Sequence, residues 1–293
     1  MTPLPFTLAP GELLVVVGPT ASGKTALSLD LAEQLGGEII GVDSIQVYRH
    51  FDLGSGKPTA SERARAPHHL VDFADPLDPL DAGRFAALAR PIIEEIQGRG
   101  RPVILCGGAF LWVKSILFGM VEAAPASPEI RVRHQAEAAA EGRPALHARL
   151  ALVDPTMAAR LNPNDLLRVS RALEVFELTG RRLSDLHAEH QEQTPRHAFR
   201  LVGVRRSPEE MSARITQRTA DWLDRGWVAE VERLVAMGYG ETRAMSSVGY
   251  WQVREHLAGR LPELAPAIDQ ATRIFVRRQR TWLRDEPVTW LDP

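Results

Sequence analysis

Leu13-Leu14-Val15-Val16-Val17 runs directly into Gly18-Pro19-Thr20-Ala21-Ser22-Gly23-Lys24-Thr25. A short, continuous apolar run that stops at a glycine loop reads as a buried parallel strand. The loop matches G-x-x-x-x-G-K-[ST] at every fixed position. Its glycines let the backbone curl so that successive N–H groups point inward, and the helix that follows adds its positive end. Lys24 brings an ammonium to phosphate oxygens, and the Thr25 hydroxyl offers a ligand to Mg²⁺. Lys24–Leu35 has helical spacing, with Ala26, Leu27, Leu31 and Leu35 inward, and Gly36-Gly37 stops it. Strand, phosphate loop and helix in this order predict an α/β protein built on a P-loop NTPase-like parallel sheet. They specify a phosphate and leave the phosphate compound open.

The flanking segments continue the alternation. Glu38–Val42, His69–Phe73 and Val103–Cys106 read as strands, and Asp81–Arg99 and Phe110–Phe118 as helices. Such a βα series predicts a parallel sheet covered on both faces. After Gly119 the pattern changes. Residues 120–196 carry helical segments separated by Pro128, Pro144, Pro155, Pro163 and Pro195, and read as an inserted all-helical domain. Ala198–Val204 then returns as a strand. The rest is mostly helical, with one helix starting at Pro208 and a long one over Pro266–Arg284. The expected division is a catalytic core of residues 1–119 and 197–293, with the insertion between.

Composition narrows the class. With 293 residues, 44% of them hydrophobic, the chain can bury a large core. No apolar run approaches the roughly 18 residues of a membrane helix, and residues 1–11 lack a signal-peptide pattern. One cysteine, Cys106, excludes an internal disulfide framework. A cytoplasmic protein with no membrane association is expected. A net charge of −2 neither requires nor excludes nucleic acid. The kind of cation says more. Of 35 basic residues only Lys24, Lys57 and Lys114 are lysine. Under so strong a drift to arginine, a retained lysine marks a position that needs a compact ammonium.

Asp43, in Val42-Asp43-Ser44-Ile45-Gln46, follows the second strand. Ligands of open parallel sheets lie at the carboxyl ends of strands, so Asp43 is expected at the same crevice as the phosphate loop. There it can accept a proton from a nucleophile, hold a metal, or simply cap the next turn. Gly54-Ser55-Gly56-Lys57-Pro58 is a loop carrying the second lysine. Arg273, Arg277, Arg280 and Arg284 are spaced to form one stripe on a helix, with Ile274, Val276 and Leu283 free to face the core. Such a stripe can track a phosphate backbone, or pair with acids on neighbouring helices.

Taken together, these segments resemble one family, the tRNA dimethylallyltransferases, or tRNA isopentenyltransferases. The resemblance is carried by Gly18–Thr25, Val42–Tyr48, Asp52–Pro58, Ala66–His69, Gly107–Gly119, Asn162–Glu174, Val248-Gly249-Tyr250 and Arg273–Arg284. It implies transfer of a dimethylallyl group from dimethylallyl diphosphate to N6 of the adenine just 3′ of the anticodon. The phosphate loop would hold the diphosphate leaving group, with Lys24 and Thr25-bound Mg²⁺ neutralising it and Asp43 serving as general base. Arg214 and Arg218 would reach the diphosphate. The partner would be a tRNA anticodon stem-loop, and a monomer is expected. Contacts with tRNA are implied for Asp43, Ser44, Ile45 and Gln46, for Ala109 and Arg131, and for Leu167, Arg168, Val169, Ser170 and Arg171. Val248, Gly249, Tyr250, Arg277 and Arg280 complete the set. Tyr48, Tyr250 and Trp112 could stack a base.

Two positions depart from the family pattern. Ala109 stands where Gly-Gly-Thr would place a hydroxyl, and Trp251 where Arg or Lys is usual. The competing readings are a small-molecule P-loop kinase using ATP, with Asp43 activating a hydroxyl, and a non-catalytic RNA-binding module. The intact Lys24-Thr25 pair speaks against the second.

Overall fold

In this computed structural model residues 6–191 and 194–291 are described. Six strands form one parallel sheet in the order β3-β2-β4-β1-β5-β6. They are β1 Leu13–Val17, β2 Glu38–Gly41, β3 His68–His69, β4 Val103–Cys106, β5 Phe199–Val204 and β6 Val288–Leu291. β1 lies between β4 and β5, with Val15 opposite Leu105 and Leu201. Its five residues are all buried, as an unbroken apolar run in a central strand must be. β1 separates two apolar layers: Leu13, Val15 and Val17 face one, and Leu14 and Val16 the other.

Helices α1 Lys24–Leu35, α2 Ala60–Arg65, α3 Ala82–Gly98 and α4 Phe110–Phe118 accompany the first four strands of this sheet-bearing part of the chain. α10 Pro208–Asp224, α11 Trp227–Ala236, α12 Tyr250–Leu257 and α13 Leu264–Leu283 complete it. Asp81 is the N-cap of α3, accepting from the Arg84 amide, so the expected helix starts one residue later.

Two expectations about the sheet need correction. The strand expected over His69–Phe73 is only His68–His69, because Leu70 and Asp72 take positive φ and turn the chain out of the ladder. The closing strand β6, paired to β5, was not anticipated. Its four half-buried residues at the sheet edge alternate too weakly to announce it.

The chain divides into two compact units, Met1–Gly119 with Pro195–Pro293, and Met120–Thr194. Among its described residues the second holds five helices, α5 Pro128–Glu141, α6 Arg143–Val153, α7 Pro155–Arg160, α8 Leu166–Thr179 and α9 Leu183–Gln191. Pro128, Pro144 and Pro155 each sit in a first turn, where the missing N–H costs nothing. Leu146, Leu150, Met157, Val169 and Leu173 centre its separate core. Among the described residues no helix is long and apolar enough to cross a membrane.

Candidate active site

The phosphate loop leaves β1 with Gly18 at φ 147° and enters α1 at Gly23 with φ 105°. A Cβ on Gly18 would stand 2.9 Å from Ser22 Oγ, so the loop closes only around glycine. Ala21 also takes the left-handed region, at φ 65°. That costs an L-residue about 1–2 kcal/mol, and the surroundings compel it. Its methyl packs against Met211, Ile215 and Val276, and its carbonyl accepts from Arg214 Nε at 2.7 Å. Ser22 is buried, and its hydroxyl has no hydrogen-bond partner among the described residues. An unsatisfied donor inside a ring of curled amides is what a phosphate oxygen would answer.

Cations close around this loop. Lys24 Nζ donates to the Pro19 carbonyl at 2.9 Å. Enclosure of its ammonium pushes Lys24 below the usual lysine range, and the Asp43 carboxylate works against that shift. α10 supplies two more cations. It starts on a capping box between Ser207 and Glu210 with Pro208 in its first turn, and its Arg214 and Arg218 lie one turn apart. Arg218 Nη1 donates to Thr20 Oγ1 at 2.8 Å, and its guanidinium lies 4.5 Å over the Trp222 ring. Burial, then the neighbouring Arg214 charge, brings Arg218 down to about 10. Arg206 Nε reaches the Ser22 carbonyl at 3.4 Å. Glu210 is occupied by its cap and by Arg206 at 3.6 Å, so it does not claim Arg214. Both expected arginines therefore sit on the phosphate loop, and Arg206 joins them.

Asp43 sits where β2 ends. Its Oδ1 accepts from the amides of Ile45 at 2.9 Å and Gln46 at 3.2 Å, so it does cap the following turn. Its Oδ2 would stand 3.9 Å from a Cβ built on Gly108, in the turn after β4, and its charge favours the protonated forms of Lys24 and Arg218. Gln46 is held in turn, its Nε2 donating to the carbonyls of Ser55 and Gly56. That loop is fixed by Glu230, which accepts from the amides of Asp52 and Leu53 and from the Tyr250 hydroxyl. Gly54 and Gly249 both press on the Trp227 indole, where a Cβ would come within 2.1 and 2.2 Å.

The lysines separate by environment. Lys57 is almost wholly buried and donates to Tyr48 O, Asp52 Oδ1 and Asp72 Oδ1 at 2.9, 2.6 and 2.7 Å. Three acceptors around one point suit an ammonium and not a planar fork. Lys114 does not share this constraint. It is exposed, pairing with Glu286 at 2.7 Å over the Phe110 ring.

Several expected nucleic-acid contacts occupy other roles. Tyr48, Tyr250 and Trp112 are buried in the core, with Trp112 stacked on Phe85, so none offers a face to a base. Val169 and Ser170 also point inward, Ser170 bonding His134. Leu167 and Arg168 are exposed on the same helix. Arg131 and Arg171 grip the fully buried Glu174 at 3.0 and 2.6 Å. In the α13 stripe Arg273 is tied to Ser212, Thr216 and Asp269, and Arg284 lies beside Asp285. Ile274 faces out instead of into the core. Arg277 and Arg280 are exposed, without an ion-pair partner among the described residues. Arg280 also borders a cavity of about 490 Å³ walled by Pro19, Ser22, Arg205, Arg206 and Trp290. Ala109 is the N-cap of α4 and offers no side-chain hydrogen bond, while Trp251 and Val248 are exposed beside the buried Gly249-Tyr250 start of α12.

Gln279 was not anticipated. Its Oε1 accepts from the Thr20 amide at 2.8 Å, and its Nε2 donates to the Gly108 carbonyl at 3.2 Å. An amide among arginines carries no charge to single it out in the sequence.

The IPP transferase family model matches residues 46–286, and an isopentenyl transferase model matches residues 11–75. A tRNA dimethylallyltransferase of Sorangium cellulosum is 64% identical over 97% of this chain and 91% of its own. Another, from Anaeromyxobacter dehalogenans, is 47% identical over 96% of this chain and 95% of its own. The solved tRNA isopentenylpyrophosphate transferase of Bacillus halodurans superposes with a TM-score of 0.71 at 34% identity, covering 96% of this chain and 90% of that one. The chain belongs to the tRNA dimethylallyltransferase family.

Proposed function

We infer that this chain transfers a dimethylallyl group from dimethylallyl diphosphate to N6 of the adenine 3′-adjacent to the anticodon in tRNA. The observation that carries the reading is the convergence of Lys24, Arg206, Arg214 and Arg218 on one phosphate loop, with Asp43 beside it. An adenine amine is a weak nucleophile, and an allylic carbon departs readily once its diphosphate is neutralised. In the reaction the N6–C1 bond forms and the C1–O bond breaks. Its electron pair leaves on the diphosphate, and Asp43 takes the N6 proton. Loop amides, Lys24 and the three arginines stabilise the charge that develops on the leaving oxygens.

The loop suits Mg²⁺ in one particular way. Among the described residues no cluster of three acidic, His or Cys side chains forms a self-sufficient metal cage. Mg²⁺ commonly takes one or two protein oxygens and completes its shell with phosphate oxygens and water. The half-buried Thr25 hydroxyl at the first turn of α1 is the protein ligand in this reading. When bound, Mg²⁺ adds charge neutralisation at the leaving diphosphate.

In the sheet-bearing unit the anticodon stem-loop is bound through the outward Arg277 and Arg280 and the turn Ser44-Ile45-Gln46; in the helical unit Leu167 and Arg168 are the outward residues of the expected set. We place the enzyme in the cytoplasm as a monomer. The kinase reading is not favoured by the chain's relatives. The test is direct: the purified chain with tRNA and dimethylallyl diphosphate yields N6-isopentenyladenosine, and with ATP it transfers no phosphoryl group to tRNA. Absence of the prenylated product would refute the assignment.

A further inference from the structure

Gln279 spans the two halves of the site. Thr20 is a member of the phosphate loop, and Gly108 lies in the turn after β4. Gln279 holds the amide of one and the carbonyl of the other through a single planar side chain. Thr20 is pinned a second time through its hydroxyl by Arg218. On the far side, a Cβ built on Gly108 would stand 2.7 Å from Gln279 Nε2 and 3.9 Å from Asp43 Oδ2. Gly108 does not adopt positive φ, so its backbone does not require glycine. The lack of a side chain there is what admits the amide. The leaving-group loop, the Gln279 amide, the Gly108 turn and Asp43 thus adjoin one another without a break.

We propose that Gln279 is a positioning residue that sets the separation between the diphosphate loop and the Asp43 carboxylate. Resting on the transfer reaction inferred above, the proposal assigns Gln279 no contact with reacting atoms. Transfer requires the allylic carbon, fixed by its diphosphate, to meet an N6 whose proton Asp43 must accept. A misplacement of about 1 Å can cost about 100-fold in rate. Loss of the bridge therefore falls on the chemical step, while each ligand keeps its own binding groups.

The experiment uses the full chain and two independent ways of removing the bridge. Gln279→Met keeps length and volume but neither hydrogen bond. Gly108→Ala leaves the glutamine in place and displaces its amide. For each variant and for the double variant we would measure thermal midpoint, dissociation constants for a non-reactive dimethylallyl thiodiphosphate and for the anticodon stem-loop, and single-turnover rate. Each single variant should lose about 10- to 100-fold in rate, with both dissociation constants within about threefold of wild type. The double variant should be no slower than the slower single one, because both remove the same bridge. Wild-type rates in both single variants would overturn the proposal. So would losses that multiply in the double variant, or a loss expressed only as weaker ligand binding. If Gln279→Met does not fold, Gly108→Ala alone decides, since a rate at wild-type level in that variant overturns the proposal equally. A wild-type chain that transfers nothing would refute the activity itself, a result that these comparisons between variants cannot mimic.

Discussion

Arg218 on α10 donates from Nη1 to Thr20 Oγ1 at 2.8 Å, joining residues 198 positions apart across the phosphate loop. The guanidinium is buried, rests on Trp222, and is lowered to about 10 by burial first and Arg214 second. It remains a cation at neutral pH. Charge-assisted hydrogen bonds contribute about 1.5–3 kcal/mol, so Arg218→Ala should weaken dimethylallyl thiodiphosphate binding by about 10- to 100-fold. An anionic ligand favours the protonated guanidinium, so wild-type affinity falls as pH rises through about 10. That alkaline limb should become shallower in Arg218→Ala, leaving the part due to Lys24, whose titration is also lowered by burial. Calorimetric titration from neutral pH to above about 10 measures both effects.

Lys57 gives a sharper test of the lysine argument. Its ammonium fills a buried site with three acceptors. Lys57→Arg keeps the charge but brings a larger, planar head into that space. Overpacking of this kind costs about 1–3 kcal/mol. Lys114→Arg, on the surface, should change stability by no more than about 0.5 kcal/mol. Denaturant unfolding of the two variants side by side checks the difference. Equal effects would mean that retained lysine carries no positional meaning.

Glu174 organises the helical unit. It has no exposure, and it accepts from Arg131, Arg171 and the Ser127 amide. Burial alone would raise its carboxyl, but the two arginines and the amide outweigh that and hold it below the usual range. Because the folded value is depressed, its stabilisation is present above the unfolded value near 4.5 and is lost as pH falls below it. Breaking a buried pair costs about 3–5 kcal/mol; with both arginines partly solvated, Glu174→Gln should cost about 1–3 kcal/mol. Unfolding at pH 7 and pH 4 measures this, and the variant's deficit should shrink at the lower pH.

Arg277 and Arg280 are the members of the α13 stripe that are exposed and have no ion-pair partner among the described residues, whereas Arg273 and Arg284 pair with Asp269 and Asp285. Replacing both by alanine should weaken stem-loop binding and reduce the slope of log K against log salt by about one for each phosphate that the pair neutralises. Binding isotherms at several salt concentrations measure the slope. An unchanged slope would assign the pair to solvent or to the cavity beside Pro19 and Ser22.

The phosphate loop, its strand and its helix were legible because a glycine pattern and an apolar run encode backbone geometry directly. So was the β1–β4 alternation, while β3 failed at Leu70 and Asp72, whose positive φ no residue type announces. β6 escaped because an edge strand of half-buried residues has no strong period. At the site, Arg214 and Arg218 were reachable from their one-turn spacing and family position. Arg206 and Gln279 were not, since their partners are backbone groups more than 170 residues away. Burial of Tyr48, Tyr250 and Trp112 overrode the stacking reading, which residue type alone could not decide.

In the proposed reaction Asp43 takes the N6 proton. Its Oδ1 caps the Ile45–Gln46 turn, a bond that Asn can also accept, so Asp43→Asn preserves the turn while removing the base. A rapid-quench single-turnover course with saturating tRNA and dimethylallyl diphosphate, at several Mg²⁺ concentrations, isolates the chemical step. Asp43→Asn should be slower by about 10²–10⁴-fold, with ligand affinities little changed and no recovery on adding Mg²⁺. A rate near wild type, or recovery at high Mg²⁺, would contradict it.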